Sequence, residues 1–103
     1  MSIRELQELV FEEYQKNGFL DQFFWAEPHE IADIAELGLV VTEVAEAMEA
    51  IRKGDAENVA EECADIIIRV LNFMSRAGLD AEEEIVKKNT RNRKRERLHG
   101  KKV

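Results

Sequence analysis

The chain has one cysteine, one proline and five glycines among its 103 residues. It also has no apolar run near the ~20 residues needed to cross a bilayer, so no membrane span is expected. Each shortage excludes something. A lone Cys63 cannot close an internal disulfide, which points to a reducing compartment, the cytoplasm. With so few breakers, long helices are favoured. The opening residues, Met1 to Glu5, carry charge and no apolar core, so they do not read as a signal peptide. There is no Gly-rich phosphate loop and no His-based nucleophile pattern. No stretch alternates apolar and polar residues as a half-buried strand would.

What is present is helical periodicity. Ser2 and Glu5 have capping-box spacing, and Ile3, Leu6, Leu9, Val10 and Tyr14 form a stripe that stops at Gly18. A loop of aromatic character follows and ends at Pro28. A second helix is predicted from about His29 to Lys53, closed by Gly54. Asp55 is a suitable N-cap for a third, which runs to about Ala77 before Gly78. Asp80 and Glu83 mark the start of a fourth that continues into Lys87–Arg97. The expected class is all-α: one domain over residues 1–103, a four-helix, bundle-like arrangement with antiparallel neighbours. A chain this short buries little of its surface alone, so completion by dimerisation is expected.

Charge is divided along the chain. Residues 1–79 hold 17 acids against 6 bases, and residues 80–103 hold 9 bases against 5 acids. The acidic body argues against a large nucleic-acid face. The basic end is read either as a solvated tail or as positive charge for one small anionic ligand.

The second helix is the most informative. Ile34, Leu37, Val40, Val41, Val44, Met48 and Ile51 fall on one side and are assigned to the core. The other side is not an ordinary solvent face either. It holds Ala32, Ala35, Leu39, Thr42, Ala47 and Ala50, with Glu43 and Glu46 among them. On the third helix Val59, Cys63, Ile66, Ile67, Val70, Phe73, Met74 and Ala77 are assigned to the core, with Cys63 as a small buried hydrophobe. Glu62 borders that stripe, beside a polar strip of Asp65, Arg69, Asn72 and Arg76.

Pairs of acids three apart are common here, and Glu5/Glu8, Glu27/Glu30, Asp33/Glu36 and Glu46/Glu49 read as solvated faces. Asp65 and Arg69 have the spacing of a plain ion pair along one helix. The combination carries more information. Glu43-x-x-Glu46 and Glu62-x-x-Asp65 lie on consecutive helices beside apolar residues, and a hairpin of that span sets the pairs face to face. Four converging carboxylates repel unless cations fill the space. Mg²⁺ suits such oxygen ligands and leaves room for substrate phosphates.

The stretch from Glu43 to Asp65 resembles the MazG-like, all-α nucleoside triphosphate pyrophosphohydrolase superfamily, whose pattern is ExxE, a spacer, then ExxD. Lys88, Asn92 and Arg95, followed by His99-Gly100-Lys101, are similar to a downstream element of that family. The resemblance implies Mg²⁺, one or two ions with Mn²⁺ as substitute, held by Glu43, Glu46, Glu62 and Asp65. It implies cleavage of a nucleoside triphosphate, a deoxynucleotide by preference, between the α and β phosphates. It further implies phosphate or sugar contacts from Lys88, Asn92 and Arg95, and a homodimer or dimer of dimers with the site near a subunit interface. Two positions depart from many relatives: Thr42 stands where some have a further Glu, and Arg69 where an aromatic is frequent. In the loop Phe23, Phe24 and Trp25 are read as docking on the bundle, with Trp25 as the alternative wall for a nucleobase. His29 is read as a helix-start residue and His99 as a hydrogen-bonder of the tail. The rival functions are a phosphoribosyl-ATP pyrophosphatase and a non-catalytic helical interaction module.

Overall fold

The computed structural model describes residues 1–18 and 29–100, with side chains as far as Arg95. Among the described residues there are four α-helices and no strand: α1 (Ile3–Lys16), α2 (His29–Arg52), α3 (Ala56–Arg76) and α4 (Ala81–Gly100). None of these helices is long and apolar enough to cross a membrane.

Local chemistry sets the boundaries. The Ser2 hydroxyl accepts from the Glu5 N–H at 3.0 Å, and the Glu5 carboxylate accepts from the Ser2 N–H at 3.1 Å, which completes the capping box of α1. Asp55 caps α3 by accepting from the Asn58 N–H, and Asp80 does the same for α4 with the Glu83 N–H, each at 3.1 Å. Gly54 and Gly78 follow α2 and α3 with φ of 70° and 75°, a left-handed conformation that a side chain would resist. Residues 53–55 are all that separates α2 from α3, so the two fold back on each other as an antiparallel hairpin. α1 packs on α3, and α4 touches α1 and α3 but not α2.

Gln7 joins α1 to the α3–α4 turn. Its Nε2 donates to Ser75 Oγ at 3.0 Å and to the Leu79 carbonyl at 2.8 Å. Its Oε1 accepts from the Ala81 N–H at 2.9 Å. One buried amide thus satisfies groups that the end of one helix and the start of the next leave unpaired. Arg4 adds ion pairs to Asp80 (2.7 Å) and Glu82 (3.2 Å) nearby.

The orientation of α2 differs from the expected one. Ala32, Glu36, Ala47 and Ala50 are buried, while Ile34, Leu37, Val41, Val44, Met48 and Ile51 are exposed, Ile34 at 71% and Val41 at 69%. The side with small residues and acids faces α3, because alanines let two helices approach closely. The bulky aliphatic stripe lies outside. On α3 the stripe is half right. Val59, Ile66, Val70, Phe73 and Met74 are half-buried, but Cys63, Ile67 and Ala77 are exposed. The α1 and α2 flanks leave a third side of α3 uncovered.

A further correction concerns Asp33 and Glu36, which do not form a solvated pair. Arg76, on α3, donates from Nε to Glu36 at 2.5 Å and from Nη2 to Asp33 at 2.7 Å. The Arg76 and Glu36 side chains are each only 4% exposed. The Arg76 guanidinium also sits 5.7 Å from the Phe73 ring centroid. Removing one member of such a buried pair leaves an uncompensated charge. Arg76→Met should therefore lower stability by about 3–5 kcal/mol, read from urea unfolding midpoints. A loss too small to measure would show that the pair contributes no net stability.

Candidate metal centre

The acidic motifs meet in the α2–α3 seam, two turns along α2 from the Arg76 pair. Glu43 projects from α2, and Glu62 and Asp65 from α3. One carboxylate oxygen from each lies within 4.8 Å of the other two. The i, i+3 spacing puts Glu62 and Asp65 on one face of α3, and the hairpin brings Glu43 across from them. Glu46, one turn beyond Glu43, is exposed and stands outside this trio, yet near enough to Glu62 to perturb its titration.

The electrostatics follow from crowding. Hydrogen bonding with the Glu43 carboxyl pushes Glu62 up to about 7, and burial and Glu46 add to the rise. The same contact, opposed by burial and aided by Arg69, holds Glu43 below its ordinary value. Of the two, Glu62 is therefore the one that holds its proton to higher pH. Oε2 of Glu62 is buried and meets no donor among the described residues. A buried carboxylate oxygen without a partner is costly, and a divalent cation among hard oxygen donors would satisfy it. The donor set therefore fits a Mg²⁺-type ion.

Arg69 does not extend an ion pair along its own helix to Asp65. Its Nε donates across the seam to Oε1 of Glu43, at 2.9 Å. Thr42 donates from Oγ1 to the Gly38 carbonyl of its own helix at 3.3 Å and adds no charge to the site.

The other candidate residues are not gathered here. Lys88, Asn92 and Arg95 lie on α4, where every residue from Ile85 to Arg95 is exposed. Among the described residues α4 makes no contact with α2, so the helix packing does not set these groups beside Glu43. Phe23, Phe24, Trp25 and the side chain of His99 lie outside the described residues. The contact that sequence reasoning missed is Arg69 with Glu43. Its signal was a basic residue one turn beyond the ExxD acid, on the strip that faces α2.

Glu62 gives this site a pH signature. Its folded pKa lies above the ordinary carboxylate value of 4.5, so its stabilising effect is complete below that value and is lost as pH rises through about 7. The lowered Glu43 works in the opposite sense, which makes Glu62→Gln the informative comparison. In EDTA, thermal melts should show Glu62→Gln gaining stability relative to the parent as pH rises from about 5 to about 8. Parallel curves would show that Glu62 titrates as an ordinary exposed acid.

A family model described as the MazG nucleotide pyrophosphohydrolase domain matches residues 30–97. The match takes in the α2–α3 hairpin from Glu30 onward with its acids and most of α4, including Lys88, Asn92 and Arg95. No curated protein matches the chain, and no solved structure does. The all-helical build and the acidic seam agree with the matched domain, and this chain belongs to the MazG nucleotide pyrophosphohydrolase family.

Proposed function

We propose that this protein is a Mg²⁺-dependent hydrolase that splits a nucleoside triphosphate, preferentially a deoxynucleotide, into monophosphate and pyrophosphate. The observation that carries the reading is the convergence of Glu43, Glu62 and Asp65 from two consecutive helices of a MazG domain. Glu43, Glu46, Glu62 and Asp65 would hold one or two Mg²⁺ ions, with Mn²⁺ as a substitute. Bound there, the metal supplies Lewis-acid polarisation of phosphoryl oxygens and a more acidic water. One carboxylate of the Glu43/Glu46 pair orients the attacking water and takes its proton. The water oxygen bonds to phosphorus as the bond to the bridging oxygen breaks, and pyrophosphate leaves with the electron pair. Lys88, Asn92 and Arg95 neutralise and position the phosphates and sugar, and Trp25 walls the base. The reading is of a single domain acting in the cytoplasm to clear unwanted nucleotides.

The exposed surface of α2 supports association. The exposed aliphatic stripe of α2 is the natural seam for a second copy, giving a homodimer or a dimer of dimers. Association also resolves the distance between the acids and α4. In this reading Lys88, Asn92 and Arg95 reach the acidic seam of the partner subunit.

Two experiments test the reading. Incubation with each common NTP and dNTP should give monophosphate and pyrophosphate, abolished by EDTA and by Glu62→Gln or Asp65→Asn with the helical fold retained. Inorganic phosphate with diphosphate would mean another bond is cut. Loss of all nucleotide turnover would favour phosphoribosyl-ATP as substrate, or a non-catalytic module. For the assembly, inactive Glu62→Gln and Arg95→Ala proteins are unfolded together and refolded. Random pairing should restore about a quarter of the parental rate, because half the pairs are mixed and each holds one intact site. No recovery would mean Arg95 serves its own chain.

A further inference from the structure

The α2–α3 seam contains two arginines with opposite situations. Arg76 is 4% exposed and bonded to two carboxylates, Glu36 and Asp33, neither of which belongs to the metal-binding trio. Such an arginine is fixed in place. Arg69 lies two turns before it on the same strip of α3. Its side chain is 38% exposed, and among the described residues its ion pair is with one carboxylate, Glu43, itself only 13% exposed. That carboxylate is part of the trio that fits a divalent ion. The guanidinium and a metal would therefore draw on the same charge.

We propose that Arg69 is a displaceable counter-cation of the acidic centre: it positions Glu43 while the site lacks metal and competes with the divalent ion for that carboxylate. The inference rests on the metal-binding reading of the trio. Three features support competition over a merely structural pair. The pair crosses from one helix to the other, so it holds the two motif-bearing helices together where like charges would push them apart. The guanidinium is bound through one nitrogen and reaches solvent, so it can leave Glu43 without itself becoming a buried unpaired charge, unlike Arg76. Its positive charge also lies within a few ångströms of where a dication would sit, and in this half-buried seam it raises the free energy of the metal-bound state. Arg69 thereby trades metal affinity for stability without metal. It keeps the seam closed until an ion of higher charge density arrives, and once released its fork is free to meet an anion.

The test separates these effects by substitution. Arg69→Met removes charge and hydrogen bond. Arg69→Gln removes the charge but keeps an amide that still donates to Glu43, so the seam stays hydrogen-bonded. Arg69→Lys keeps the charge. Mn²⁺ binding is measured by electron paramagnetic resonance and by calorimetry, with thermal melts in EDTA alongside. Arg69→Met and Arg69→Gln should bind Mn²⁺ about tenfold more tightly or better, because a like charge has been removed beside the ion. Both should melt lower than the parent in EDTA, Arg69→Gln by less, and the difference should close at saturating Mn²⁺. Arg69→Lys should remain near the parent in both measurements. Weaker or unchanged Mn²⁺ binding in Arg69→Met and Arg69→Gln would overturn the competition and leave the metal centre standing. A parent protein that takes up no Mn²⁺ would overturn both.

Discussion

The structure depends on the cost of placing carboxylates in the narrow seam between α2 and α3. Small residues, Ala32, Ala47 and Ala50, let the helices approach and exclude water from between them. The same seam contains Glu36, Glu43 and Glu62, none of them fully hydrated. Each needs either a proton or a cation. At one end Arg76 answers the need completely, and that end is a structural tie. At the other end the acids outnumber the cations. Among the described residues Arg69 pairs with Glu43 alone, crowding by Glu43 pushes Glu62 up to about 7, and its Oε2 meets no donor. The seam is therefore balanced at one end and deficient in positive charge at the other. That imbalance is the electrostatic reason the trio of Glu43, Glu62 and Asp65 fits a divalent cation.

The close approach that creates the seam also accounts for the exposed side of α2. The helix is apolar nearly all round, and its two sides compete for burial. Alanines lose little by being buried tightly, while Ile34, Val41, Met48 and Ile51 are too bulky to fit a close helix pair. The hairpin therefore takes the small-residue side, and the aliphatic stripe is left for a second surface. A helix of this type is stable only where both sides find cover. The proposed partner surface thus arises from the same packing choice that concentrates the acids.

Much of this was legible in the sequence, for reasons that are local. Ser2 with Glu5, Asp55, Asp80 and the glycines at 18, 54 and 78 act through bonds within a few residues, so the helix boundaries follow from spacing alone. The paired acids were legible because two motifs on consecutive helices have few ways of avoiding each other. What was not legible was which side of α2 faces inward. Periodicity identifies a stripe, but with two apolar sides it does not rank them, and the larger residues were wrongly assigned to the interior. The error carried over to Cys63, which is exposed, and to Asp33/Glu36, which resembled the solvated acid pairs. Glu36 could have been distinguished only by its neighbours Ala32 and Leu39, and by an arginine forty residues away that the hairpin brings opposite.

The division of charge along the chain then acquires a physical meaning. Under the proposed function, acids that hold a dication and bases that meet phosphates must come together, whereas direct pairing would neutralise both sets. Here the basic groups sit on α4, which is exposed from Ile85 to Arg95 and has no contact with α2. The helix geometry keeps the two sets apart within the chain. Arg69 is the exception, a base admitted beside the acidic trio at the end of the seam opposite Arg76, and its ion pair is with one carboxylate, Glu43. A stronger cation would close the site to metal, and none at all would leave the acids to force the hairpin open. One exposed guanidinium, held by one carboxylate, is a compromise between those two failures.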